Sequence, residues 1–272
     1  MTQIPARPLP LTAGGHRLEA FWIGPPPGRD PALVFLHEGL GSAGALLKFA
    51  SAVSEATGRG ALVYSRVGYG ASDPTPLPLP VRFMHDEALI LSEVLDTVEI
   101  EEAVLVGHSD GASIALIHAA GPGAGRIRGL VLLAPHSLIE PVTISSIAAL
   151  PERFEQGDLR EKLTRLHGGN TDRIFHAWTK AWLQPEFASW NIEDLLPFVN
   201  CPVLVIQGAD DEYGTIRQVE VIAARAGGPV ETLVLPECGH VPHRDQRDAT
   251  LAAIAAFAAR GARDPRAGHR DP

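Results

Sequence analysis

The sequence predicts an α/β protein: a mostly parallel, doubly wound sheet that carries an inserted block of helices. Six short, almost wholly apolar runs recur along the chain, at 32–37, 61–65, 103–107, 130–134, 203–208 and 232–236. Runs of this kind suit parallel strands buried on both faces. Helix-period segments lie between several of them, and strands alternating with helices through right-handed crossovers give a doubly wound sheet. The alternation breaks between about 138 and 197, a stretch too long for a plain loop in a compact domain.

Taken in order, RLEAFWI (17–23) alternates well enough for an edge strand and is followed by the turn GPPPG. ALVFLH (32–37) then stops at a glycine-rich loop. ALVYS (61–65) leads to a helix over 85–98, where Ala88, Leu91, Val94, Leu95 and Val98 share one face. AVLVG (103–107) leads to a helix over 111–120, and LVLLA (130–134) leads to the break. VLVIQG (203–208) and TLVLP (232–236) resume the pattern, with helices over 215–226 and 246–260.

The break reads as helices without strands. It holds Trp178, Trp182 and Trp190 with Phe154, Phe175 and Phe187. Such aromatics serve first to pack an inserted cap on the core, and Trp178 and Trp182 are candidates to line a pocket beneath it. The expected organisation is a core over 1–137 and 198–261, a helical cap over 138–197, and a polar, Pro/Gly-rich disordered tail over 262–272.

Bulk properties narrow the partners. The formal net charge is −9, which argues against nucleic acid and anionic membrane, since phosphate binding needs concentrated basic surface. Two cysteines, Cys201 and Cys238, make neither a disulfide framework nor a metal-ligand spacing. The N-terminus lacks the basic start and apolar run of a signal peptide, and no run approaches the ~18 apolar residues of a membrane helix. The expectation is a cytoplasmic protein acting on a small molecule; the sequence leaves its oligomeric state open.

The strongest chemical signal is Gly107-His108-Ser109-Asp110-Gly111, a G-x-S-x-G sequence between a buried strand and a helix. A nucleophile on so tight a turn has strained backbone, so its flanks must be small. The helix that follows points free N–H groups and its positive dipole end at the site, which favours a developing oxyanion. A serine hydroxyl needs a base, and the base an orienting group. After VLVIQG come Asp210 and Asp211; after TLVLP come His240 and His243. Both pairs fall at the carboxyl edge of the sheet, where open α/β sheets gather their functional groups. Asp211, three residues after Gly208, is the preferred acid, with Asp210 as alternative; His240, directly after a glycine, is preferred over His243. His85, His118, His167 and His176 are expected on helix surfaces or as helix caps. For an oxyanion hole, the candidate donors are the backbone N–H groups of Asp110 and of Gly39, in the loop His37-Glu38-Gly39-Leu40-Gly41-Ser42.

With these motifs in hand, the chain resembles the α/β-hydrolase superfamily over nearly its whole length. The matching motifs, in order, are HEGLGS (37–42), RVGYGASD (66–73), GHSDG (107–111) and the pair GADD (208–211) with GHVPH (239–243). The resemblance implies a triad of Ser109, Asp211 and His240 working through an acyl-enzyme, with no metal or organic cofactor. One departure stands out: most relatives have glycine where this chain has Glu38. A carboxylate pointing into the hole would repel an oxyanion. Glu38 therefore either turns away into a structural hydrogen bond, or touches a polar or cationic part of the substrate or acts on a water. Asp110 and His136 are further polar residues expected near the substrate. Serine at the elbow argues against relatives that attack with aspartate. Hydrolysis of a small carboxylic ester or lactone is the first expectation, and carbon–carbon hydrolysis of a ring-cleavage diketone the second. A non-catalytic small-molecule receptor on the same fold is the alternative from another class.

Overall fold

A computed structural model describes residues 4–28 and 30–261. The expected tail at 262–272 lies outside the described residues. The chain opens with β1 (Arg7–Pro8), the hairpin β2 (Leu11–Ala13) and β3 (His16–Leu18), and β4 (Ala20–Ile23). There follow β5 (Ala32–Leu36), α1 (Ala43–Thr57), β6 (Ala61–Tyr64), α2 (Phe83–Thr97), β7 (Ala103–His108), α3 (Asp110–Ala119) and β8 (Ile127–Leu133). Four helices come next: α4 (Pro141–Ala148), α5 (Leu150–Gln156), α6 (Leu159–His167) and α7 (Thr171–Leu183). The described residues end with β9 (Val203–Gly208), α8 (Ile216–Arg225), β10 (Val230–Leu235), the single turn α9 (Pro242–Asp245) and α10 (Arg247–Gly261).

Among the described residues eight strands form one sheet in the order β1-β4-β6-β5-β7-β8-β9-β10, parallel from β6 to β10. All six apolar runs are strands of it. RLEAFWI differs from expectation in two ways. It splits, with β3 pairing β2 in a separate hairpin, and β4 is not an edge strand because β1 adds antiparallel to its outer side. Helix α1 was not among the expected helices. It packs Leu46, Phe49 and Val53 against the sheet.

Side-chain alternation sorts the core into two layers. Along β5, Leu33 and Phe35 face α1 and α10, where they meet Phe49, Val53, Ile254 and Phe257. Val34 and Leu36 face the other way, toward Leu91 of α2 and Ala115 of α3. A strand covered on both faces has no place for a polar side chain, and all five residues of β5 are buried.

The chain leaves β5 for β6 on one side, then crosses back to β7 on the other. The loops after β5 and β7 therefore diverge and open a crevice at the carboxyl edge, the topological switch point of the sheet. Helices α4–α7 come between β8 and β9, and their segment leaves and returns at one place. Leu138 bridges Asn191, and the Ile192 N–H donates to the Ser137 carbonyl at 2.8 Å. Gln218 of α8 pins this point, accepting from the Ser137 N–H at 2.8 Å and donating to Glu140 Oε2 at 2.8 Å. Trp178, Trp182, Trp190, Phe154, Phe175 and Phe187 are all buried, as packing aromatics should be. His118 and His167 depart from the surface positions expected of them, for both are buried. His118 Nδ1 donates to the Ala88 carbonyl at 2.9 Å, and His167 joins α6 to loops of the sheet. Among the described residues no helix is long and apolar enough to cross a membrane.

Candidate active site

Ser109 ends the turn between β7 and α3 with φ 53° and ψ −119°, a conformation L-residues avoid. Such backbone costs about 1–3 kcal/mol and persists only where its surroundings enforce it. Here the Ser109 N–H is tied to the Leu133 carbonyl of β8 at 2.9 Å. The flanking residues have no room for a side chain. A Cβ on Gly107 would lie 2.4 Å from the Gly111 carbonyl oxygen, and one on Gly111 would lie 2.2 Å from that of Leu36. The spacing of the two glycines is thus a packing requirement of the turn.

Loops after β9 and β10 bring the other groups. His240 Nε2 lies 2.9 Å from Ser109 Oγ, and His240 Nδ1 lies 2.9 Å from both carboxylate oxygens of Asp211. Nδ1 must carry the proton that a carboxylate accepts, which leaves Nε2 free to accept from the serine. Asp210, by contrast, is exposed. Asp211 is fixed by N–H groups from Tyr213 at 2.8 Å and Gly214 at 3.2 Å, and by the Gln207 amide at 2.7 Å. Burial pushes the Asp211 carboxyl up, but its bond to His240 and these N–H groups outweigh that and hold it below the ordinary carboxylate value. Sequence reasoning passed over Gln207 and Tyr213, whose ring stands 4.6 Å from that of His240. Neither residue type signals such a role.

The loop after β5 runs beside the start of α3. The N–H groups of Gly39 and Asp110 donate to nothing among the described residues. The Glu38 carboxylate turns toward His108, with Oε2 3.4 Å from Nδ1, and folds against Gly41. His108 Nε2 meets the His240 carbonyl at 2.7 Å. With an acceptor at each ring nitrogen, His108 is best satisfied as an imidazolium. Burial pulls its pKa down, yet the bond to Glu38 outweighs that and raises it. Burial likewise pushes Glu38 up, while His108 brings it far below its ordinary value.

Helix α7 of the helical segment reaches the crevice. The Trp178 indole lies directly against Gly39, and its N–H donates to Asp110 Oδ2 at 2.8 Å. Asp110 is wholly buried; burial pushes its carboxyl up, against the pull of Arg66 and of the Trp178 N–H. His136 stands with its ring 5.6 Å from those of both His240 and Trp182. Burial, then the neighbouring His240, lowers it to about 3, so it is a neutral imidazole in the site. Only 6% of Ser109 and 9% of His240 is exposed. An open groove of about 700 Å³, lined by Leu95, Asp96, Ile100 and Arg126, lies at the opposite end of β7 and has no part in this arrangement. His243 packs between Phe49, tilted, and His108, edge-on, rather than reaching Ser109, and burial lowers it to about 3.

Fold and geometry together define a class: a parallel α/β sheet with a hydrogen-bonded serine, histidine and aspartate at its carboxyl edge. The model of the alpha/beta hydrolase family matches residues 33–254, and the chain belongs to that family. Among the curated proteins no relative matches. Solved structures share the fold at low identity. The 2-hydroxy-6-oxo-6-phenylhexa-2,4-dienoate hydrolase of Rhodococcus sp. strain RHA1 is 17% identical, with 94% of this chain and 99% of that one covered and a TM-score of 0.77. The enol-lactonase of Burkholderia xenovorans LB400 is 19% identical over 93% and 99% of the two chains, TM-score 0.71. A thermophilic esterase of Thermogutta terrifontis is 20% identical over 94% and 99%, TM-score 0.66.

Proposed function

We propose that this protein is a serine hydrolase that cleaves a small carboxylic ester or lactone through an acyl-enzyme on Ser109. The observation that carries the reading is the unbroken chain from Asp211 through His240 to Ser109 Oγ. In the first half-reaction His240 Nε2 takes the Ser109 hydroxyl proton as Oγ bonds to the carbonyl carbon. The resulting oxyanion accepts from the Gly39 and Asp110 N–H groups at the positive end of α3. Its collapse breaks the bond to the alkoxy oxygen, which takes the proton from His240 and leaves as an alcohol. Water then repeats the sequence on the acyl-serine and releases the acid; a lactone yields a hydroxy acid. Asp211 stays ionised, orients the imidazole and balances the imidazolium.

Residues 138–197 act as a cap in this reading, with Trp178 and Trp182 over the acyl group and neutral His136 available to hydrogen-bond it. The near-complete enclosure of Ser109 supports a small substrate. Incubation with a fluorophosphonate, followed by intact-protein mass and assay on short p-nitrophenyl esters, tests the proposal. One adduct on Ser109 with steady ester turnover is expected. An adduct without turnover would shift the reading to carbon–carbon cleavage or to a receptor, and no adduct would mean that the serine is not activated.

A further inference from the structure

Arg66, in the loop after β6, is only 1% exposed, and a buried guanidinium carries a heavy desolvation penalty that some local arrangement must offset. Its side chain makes one full hydrogen bond, from Nη2 to the Glu38 main-chain carbonyl at 3.0 Å. Its carbon Cζ lies 4.4 Å from the Tyr69 ring centroid, and Nη2 lies 3.8 Å from Asp110 Oδ2. The guanidinium thus stands between the two segments whose N–H groups are the candidate oxyanion donors.

The Glu38 carbonyl receives two more donors. His37 Nε2 accepts from the Arg66 main-chain N–H at 3.0 Å, so its proton sits on Nδ1, which donates to the Glu38 carbonyl at 2.7 Å. The Gly41 N–H adds a third contact at 3.1 Å. A trans peptide is planar, and its C=O and N–H point in opposite directions. Fixing the Glu38 oxygen therefore fixes the Gly39 N–H, which belongs to the same peptide unit. Glycine at 39 leaves that peptide intrinsically free to rotate, so its orientation must come from outside. Turned over, it would bring its N–H against a cation and offer a carbonyl oxygen where a donor is needed.

We infer that Arg66 is a positioning residue for the oxyanion hole: it locks the Glu38–Gly39 peptide with the Gly39 N–H available and neutralises Asp110 beside the second donor. A carboxylate left uncompensated one residue from Ser109 would oppose negative charge on the reacting oxygen. Arg66 touches neither substrate nor nucleophile, so its effect falls on the transition state. This rests on the reading of Ser109 as nucleophile.

The test compares Arg66→Met and Arg66→Lys with the wild type on a p-nitrophenyl ester and on an alkyl trifluoromethyl ketone, which adds to Ser109 as a hemiketal. For folded Arg66→Met, kcat should fall about 100- to 1,000-fold, the loss typical of one oxyanion donor, with KM within about threefold. Affinity for the ketone should fall by the same factor as kcat/KM, since it mimics the tetrahedral state. Arg66→Lys keeps a cation that can reach one partner but not span both, and should lose roughly tenfold in kcat, with ketone affinity following. If Arg66→Met does not fold, Arg66→Lys alone decides. Undiminished kcat and ketone affinity in a folded variant, with an active wild type, would overturn this inference alone. A wild type that neither turns over the ester nor binds the ketone would remove the Ser109 reading and this one with it.

Discussion

The Trp178 indole N–H donates to Asp110 Oδ2 at 2.8 Å, joining the helical segment to the residue that follows Ser109. One contact thus brings α7 to the crevice and satisfies one oxygen of a buried carboxylate, whose other oxygen, Oδ1, has no partner among the described residues. It also couples the position of α7 to Gly39 and Asp110 together, because the same indole rests on Gly39. Trp178→Phe deletes the donor and also trims the indole atoms that rest on Gly39. The lost bond alone should destabilise the fold by about 1–3 kcal/mol in urea unfolding, and the lost packing on Gly39 adds to it. Unchanged stability would mean that the bond is not made in solution.

On the proposed reading of Ser109 as nucleophile, Ser109→Ala should reduce ester hydrolysis by several orders of magnitude, because nucleophile, base and acid act as a unit. The backbone at 109 separates chemistry from stability. With φ at 53°, a glycine fits better than any L-residue, so Ser109→Gly should abolish turnover and yet raise stability by about 1–3 kcal/mol. Calorimetry that finds Ser109→Gly less stable than Ser109→Ala would show that the turn is not strained.

Asp211→Asn should lower kcat by about four orders of magnitude, since an amide can hold His240 in the wrong tautomer. Asp210→Asn, at an exposed position, should change kcat by no more than about twofold. Steady-state assays on both variants check this, and the reverse ranking would reassign the acid.

The Glu38–His108 pair makes a pH-dependent contribution to stability. His108 is held above its ordinary 6.5, so its part is complete below 6.5 and is lost as pH rises through its folded value. Glu38 is held below its ordinary 4.5, so its part is present above 4.5 and is lost as pH falls through its folded value. The stability difference between wild type and Glu38→Gln should therefore be largest between 4.5 and 6.5 and shrink on both sides. Urea unfolding from well below 4.5 to well above 6.5 measures it. A difference independent of pH would show that the pair is not ionised.

Much of this molecule could be read from its residues. The six apolar runs became strands because a strand covered on both faces tolerates only apolar side chains, and that requirement is written locally. The turn at Ser109 was equally legible: a strand, two glycines and a helix leave little choice of backbone. Helix α1 was missed although Leu46, Phe49 and Val53 keep helical spacing, so that omission was one of reading and not of signal.

The chain itself therefore determined the fold class, the order of elements and the edge of the sheet where Ser109, the Asp210–Asp211 pair and His240 would meet. Tertiary structure decided which side chains touch: Asp211 and not Asp210 reaches His240, Glu38 turns to His108, His118 and His167 go inside, and Arg66 lies beneath the Glu38–Gly39 peptide. The physical reason is one of range. Periodicity and turn chemistry act between residues a few positions apart, and each leaves its mark in a short window of sequence. The bond from Arg66 to Glu38 spans 28 positions, and that from His240 to Ser109 spans 131. Such contacts depend on the path of every intervening loop, which no local window contains.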